Sequence, residues 1–92
     1  MTYELDFKPK ALKEWSKVDS TIKEQFKKKL KQRLNNPRVE SDKLSGCENV
    51  YKIKLRNSGF RLAYEVQDSV LLVIILKIGK RDKFYENFKK TI

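Results

Sequence analysis

Apolar residues alternate with polar ones at the start of the chain, then switch to helical spacing, then return to alternation. Tyr3, Leu5 and Phe7 alternate with Thr2, Glu4 and Asp6, which predicts a first half-buried strand. Pro9 suits the opening turn of a helix, with Leu12, Trp15 and Val18 expected on its inner side. Asp19-Ser20-Thr21 supplies N-cap chemistry for a second helix, and Thr21 with Glu24 fits a capping box. Ile22, Phe26, Leu30 and Leu34 recur every fourth residue and form one apolar stripe. Asn35-Asn36-Pro37 ends that helix. Two such helices are expected to form a hairpin covering one face of a sheet.

Residues 38–49 are polar and irregular and read as a connecting loop. Alternation then resumes: Tyr51, Ile53 and Leu55 are apolar, while Lys52, Lys54 and Arg56 share the opposite face. Taking Ser58-Gly59 as a two-residue hairpin turn pairs Arg56 with Arg61, Lys54 with Ala63 and Lys52 with Glu65. That register keeps Phe60, Leu62, Tyr64 and Val66 on the apolar face. Asp68-Ser69 turns the chain into Val70–Ile78, a strand too uniformly apolar to leave one side wet. The C-terminal segment, where Phe84, Phe88 and Ile92 recur at helical spacing, is expected to cover that second side. The predicted order is βααβββα: one α+β domain over residues 1–92, a two-helix hairpin on a four-stranded, mostly antiparallel sheet.

Charge narrows the function. In 92 residues, 22 Lys+Arg against 12 Asp+Glu leave a net +10, which favours a polyanionic partner. Nucleic acid comes first. An anionic membrane comes second and is the weaker reading, because the longest apolar run, Val70 to Leu76, is strand-sized and far short of a span. The first residues already read as a strand rather than a secretory signal. Cys47, the single cysteine, fits a reducing cytoplasm and a structural role. With no histidine in the chain, a thiol nucleophile would lack its usual base.

The chemistry-bearing residues fall into three groups. Lys52, Lys54, Arg56 and Arg61 form a cationic platform on the hairpin; like charges facing one another across strands are destabilising, which suggests a face built to hold an anion. The bland alternative is a solvated sheet face. Gly79-Lys80-Arg81 followed by Tyr85 forms a second cluster, expected beside the platform. Together these groups can fork a phosphate through Arg, hold it through Lys and stack a base on the phenol. The second helix carries Lys23, Lys27, Lys28, Lys29, Lys31 and Arg33 around its cylinder. This run reads as a solvated face, with non-specific RNA contact by Lys23, Lys27 and Lys31 as the functional alternative. There are no paired cysteines and no Gly-rich phosphate loop, so neither a metal site nor a cofactor is expected.

Lys43-Leu44-Ser45-Gly46, then the stretch from Tyr51 through Tyr64, then Gly79-Lys80-Arg81 and Tyr85, resemble the RelE toxins of bacterial toxin–antitoxin systems. Ala11–Trp15 and Ser20-Thr21 are similar too, so the resemblance spans nearly the whole chain. It implies a RelE-like fold and a cytoplasmic mRNA endonuclease acting in the ribosomal A site. It also implies neutralisation by a RelB-like antitoxin, contact with rRNA, and an indirect link to DNA through the antitoxin complex. The family's catalytic positions map onto Lys52, Lys54, Arg61, Arg81 and Tyr85, with Arg56 and Lys80 as further RNA contacts. The interval from Arg81 to Tyr85 is two residues shorter than the family pattern.

Such chemistry lets the RNA 2′-hydroxyl attack the adjacent phosphate, leaving a 2′,3′-cyclic phosphate and a 5′-hydroxyl. Crowded like charges favour a neutral amine, so Lys54 is the expected base with Lys52 assisting. Arg61 is expected to clamp the phosphorane, Arg81 to serve the leaving oxygen and Tyr85 to stack on a base. Two other readings use the same residues. One is a ParE-type toxin acting on DNA gyrase, a group that generally lacks the Lys52/Lys54 pair. The other is a non-catalytic RNA- or rRNA-binding module.

Overall fold

The structure, a computed structural model, describes residues 2–44, 46, 48–55 and 58–80. Its elements are β1 (Glu4–Phe7), α1 (Pro9–Lys17), α2 (Ser20–Asn35), β2 (Val50–Lys54), β3 (Phe60–Gln67) and β4 (Leu72–Lys80). Short 3₁₀ turns at Glu40–Asp42 and Asp68–Val70 punctuate the loops. The strands lie in the order β1-β4-β3-β2. β1 runs parallel to β4 and the other neighbours are antiparallel, so the sheet is mixed. The two helices and the sheet were legible as α+β. The expected terminal helix with Phe84, Phe88 and Ile92 lies outside the described residues, as do Cys47, Arg56, Arg81 and Tyr85.

Helix α2 forms as its pattern requires. Asp19 is the N-cap, its carboxylate accepting the Ile22 N–H at 3.0 Å. The expected Thr21–Glu24 box is absent: Thr21 already sits inside the helix, and Glu24 pairs instead with Lys27 at 3.6 Å. Ile22, Phe26 and Leu30 are buried and Leu34 half-buried. Burying a side chain like Phe26 contributes about 2–3 kcal/mol before entropy is counted. On α1 the inner stripe is Ala11, Trp15 and Val18, and Leu12 is 53% exposed. The expectation for Leu12 fails because Ala11, with only a methyl, sets the line that approaches the sheet. An aromatic chain joins the layers: Phe7 to Trp15 at 5.6 Å and Trp15 to Phe26 at 6.3 Å between ring centroids.

The β2–β3 hairpin differs from the expected register. Lys54 pairs with Arg61, Ile53 with Leu62, Lys52 with Ala63 and Tyr51 with Tyr64. The Leu55 N–H donates to the Phe60 carbonyl at 2.9 Å, and the Gly59 N–H to the Leu55 carbonyl at 3.0 Å. The connection between Leu55 and Phe60 is therefore four residues long, not two. Gly59 supports it at φ 74°, where L side chains are strained. A shift of two preserves parity, so every side chain stays on its predicted face while its partner changes.

Strand β4 carries a bulge. Lys77 pairs with Ala63, but Ile75 pairs with Tyr64, leaving Leu76 as the extra residue. Val73, Ile75 and Ile78 all reach the helix-side core, so the strand's parity switches between 75 and 78. Val70 is not in the strand; it lies in the preceding turn, 62% exposed. On the face away from the helices, Leu44, Val50, Ala63 and Leu76 form a second small cluster with Ile74 against it. The loop residue Leu44 thus covers part of the strand side that was expected to need a cover. Past the end of β1, the Glu14 carboxylate on α1 accepts the Ile78 N–H at 3.2 Å.

Two arginines pin the 36–49 loop to the sheet. The Arg33 guanidinium donates to the Tyr64 hydroxyl at 2.9 Å and to Asp42, and Tyr64 donates to the Pro37 carbonyl at 2.7 Å. Burial opposes the Arg33 charge, but its bonds to Tyr64 and Asp42 win and hold its pKa above the ordinary value. Burial pushes the Tyr64 phenol up, against the pull of Arg33. Arg38 donates to Asp68 at 3.0 Å through Nε, to the Tyr51 hydroxyl at 3.2 Å and to Asn49 at 3.1 Å. Tyr3 donates to the other Asp68 oxygen. Hydrogen bonds from Arg38 and then Tyr3 hold the Asp68 carboxyl below its usual range.

Candidate active site

Alternation and register place the functional side chains in two rows across the face opposite the helices. One row runs Lys54, Arg61, Gly79; the next runs Lys52, Ala63, Lys77. Neighbouring strands lie about 4.8 Å apart, and rows on one face about 7 Å. Lys54 is therefore directly opposite Arg61, with Lys52 one row away on the same strand. Lys54 is exposed, and Lys52 and Arg61 are half-buried. Glu65, once expected beside Lys52, pairs with Val50 a further row away.

The ground beneath these cations is stiff. The Tyr51 and Tyr64 rings stack at 5.8 Å on the helix side, and both are buried. Arg33 also donates to the Lys52 carbonyl at 3.4 Å, tying that strand position to α2. Gly79 contributes bare floor: a Cβ built there meets nothing within 4 Å among the described residues. A phosphate can approach the sheet backbone beside Arg61 at that point. The arrangement can fork an anion through a guanidinium and flank it with two ammonium groups.

The remaining predicted residues divide. Lys80 pairs with Phe60, and its ammonium lies over the Phe60 ring at 5.8 Å, on the other face from the Lys54–Arg61 row. Lys23, Lys27 and Lys31 belong to α2, on the helix side of the sheet, so the structure does not bring them to the platform. Lys27 and Lys31 instead flank an apolar cleft of about 260 Å³ between α2, Trp15 and β1. Arg33, grouped by sequence with the solvated helix cations, is a structural tether. Lys77 was missed. Its signal was a lone lysine interrupting the apolar Leu72–Ile78 run.

A helix-backed sheet whose outer face concentrates cations defines a small α+β domain for binding a polyanion. Comparison with known proteins places it further. The family model described as the ParE toxin of the type II toxin–antitoxin system parDE matches residues 5–85. The mRNA interferase toxin RelE of Escherichia coli is 52% identical over 83 residues, covering 90% of this chain and 87% of that protein. The mRNA interferase RelE of Shigella flexneri is equally similar. A mutant of E. coli toxin RelE solved in the free state superimposes with a TM-score of 0.89 at 47% identity, over 99% of this chain and 95% of that one. The toxin of the intact E. coli RelBE toxin–antitoxin complex gives 0.83 at 52% identity, over 85% and 95%. RelE of the archaeal RelE–RelB complex from Pyrococcus horikoshii shares the fold, with a TM-score of 0.65 at 21% identity over 88% and 97%. The chain belongs to the RelE family of toxins, within the RelE/ParE superfamily of type II toxin–antitoxin systems.

Proposed function

We propose that this chain is a ribosome-dependent endoribonuclease toxin that cuts mRNA in the ribosomal A site and is neutralised by a RelB-like antitoxin. The observation that carries the reading is the placement of Lys54 directly opposite Arg61, with Lys52 in the adjacent row. The relatives named mRNA interferases support it. So do the solved complexes of RelE with RelB antitoxin. No helix among the described residues is long and apolar enough to cross a membrane. Action on ribosomes assigns the protein to the cytoplasm.

The mechanism follows from the two rows. Lys54 is assigned to take the proton from the 2′-hydroxyl, with Lys52 holding the nucleotide and the developing charge. The 2′-oxygen attacks phosphorus, and the forked Arg61 guanidinium stabilises the dianionic phosphorane as it forms. The P–O5′ bond then breaks, leaving a 2′,3′-cyclic phosphate on one fragment and a 5′-hydroxyl on the other. Arg81 is assigned to donate to the leaving oxygen, and Tyr85 to stack on a base. Amines and guanidinium groups are weak proton-transfer catalysts at neutral pH, so positioning must supply much of the acceleration. The ribosome is assigned that role.

Induction in growing cells with mapping of mRNA 5′ ends tests the proposal. Cuts within codons of translated messages are expected. Broken DNA with intact mRNA would instead favour the ParE-type reading, which the family model's description keeps in view. Rapid cleavage of a short free RNA by the purified protein would remove the ribosome from the mechanism.

A further inference from the structure

We infer that the bulge in β4 exists to turn Lys77 onto the nuclease face, where its ammonium holds the phosphate next to the scissile one. This inference rests on the function proposed above. Strict alternation from Val73 and Ile75 would send residue 77 into the helix-side core and residue 78 outward. One additional residue, Leu76, reverses that assignment: Ile78 is buried in the core, and Lys77 pairs with Ala63 on the outer face. Bulges commonly re-aim a side chain beside an active site.

The position is specific. Lys77 closes the row Lys52, Ala63, Lys77, and its Cα lies two strand spacings, about 10 Å, from that of Lys52. Ala63 between them is fully buried in the Leu44, Val50 and Leu76 cluster, so the two lysines flank a small apolar ridge rather than open sheet. Gly79, the next outward-facing residue of β4, is the bare floor beside Arg61. A phosphate seated at Arg61 and Gly79 therefore has Lys52 and Lys54 on its β2 side and Lys77 on its β4 side. Successive phosphates of one RNA strand running across the sheet would meet the β2 lysines and Lys77 in turn. Lys77 is a binding and positioning residue in this assignment, and Lys54 with Arg61 does the chemistry.

The test compares Lys77→Gln, Lys77→Arg and the unaltered protein on ribosomes carrying a defined message. Lys77→Gln should raise KM about tenfold, as expected for losing one charge-assisted contact. It should leave kcat near the original value and reduce the slope of log affinity against log salt by about one. Lys77→Arg should restore both, since it keeps the charge. A structural role would lower thermal stability, leave the salt slope unchanged and resist rescue by arginine. Affinity for vacant ribosomes should not change; equal weakening there would move the contact to rRNA and overturn the inference. If the unaltered protein cuts and Lys77→Gln matches it in KM and salt slope, the Lys77 assignment falls while the nuclease reading stands. If the unaltered protein does not cut, both fall.

Discussion

Lys54 and Arg61 face each other as a directly registered cross-strand pair, two cations at the shortest spacing an antiparallel ladder offers. Folding alone would not select that pairing, because like charges in register destabilise by roughly 0.2–1 kcal/mol. Lys54→Gln should therefore raise the urea midpoint slightly while cutting the cleavage rate by at least about 100-fold. Denaturation and single-turnover cleavage on programmed ribosomes measure the two together. A variant that lost stability and kept activity would reverse the assignment.

Gly79→Val separates the same two quantities from another direction. A Cβ at this position meets no neighbour among the described residues, and Gly79 is a paired residue near the end of β4, where glycine costs up to about 0.5–1 kcal/mol relative to alanine. The variant should fold with equal or greater stability and bind ribosomes. Cleavage should drop about 100-fold as the phosphate is lifted off the floor. Unchanged cleavage would mean that the substrate does not reach Gly79.

Tyr64→Phe removes a hydroxyl that donates to Pro37 and accepts from Arg33. Leaving both partners unsatisfied should cost about 1–3 kcal/mol. At this chain length each kcal/mol lowers Tm by roughly 4–8 °C. Because Arg33 also reaches the Lys52 carbonyl, hydrogen exchange in β2 should quicken as well. Calorimetry and exchange together check this, and a loss of Tm without faster β2 exchange would place the damage in the loop alone.

Acid should loosen the second tether. Asp68 has its carboxyl held below the ordinary 3.8 by Arg38 and Tyr3, so its contribution is present above that value and is lost as pH falls through the depressed one. Between neutral pH and about pH 3 the urea midpoint should fall less for Asp68→Asn than for the unaltered protein. Equal pH dependence in both would show that other carboxylates govern acid unfolding.

Much of the fold was legible because its signals are periodic. Ile22, Phe26 and Leu30 mark α2 without ambiguity, and the parity of Lys52, Lys54 and Arg61 survived a register error of two. That error arose because Ser58-Gly59 has the chemistry of a tight turn, while Arg56 also continues the cationic alternation of Lys52 and Lys54. Leu12 misled because a helix stripe can be set by a small residue such as Ala11. Apart from Lys77 itself, nothing in the apolar run betrays the β4 bulge. Alternation from Val73 and Ile75 would have assigned Lys77 to the core face and Lys80 to the outer one, the reverse of what is found. Arg33 was read as a solvated helix cation and Arg38 only as part of a polar loop, because their partners, Asp42 and Asp68, come from other segments of the chain.

Strand β4 outruns its parallel neighbour: β1 ends opposite Ile75, and β4 continues to Lys80. An uncovered backbone there would invite another copy's strand to zip alongside, the usual route from a soluble sheet protein to a fibre. The Glu14 carboxylate already occupies the Ile78 amide and places a negative charge in the way of an incoming chain. One side chain on the first helix thereby occupies an amide that strand addition would need, beside the strand that leads onto the cationic face.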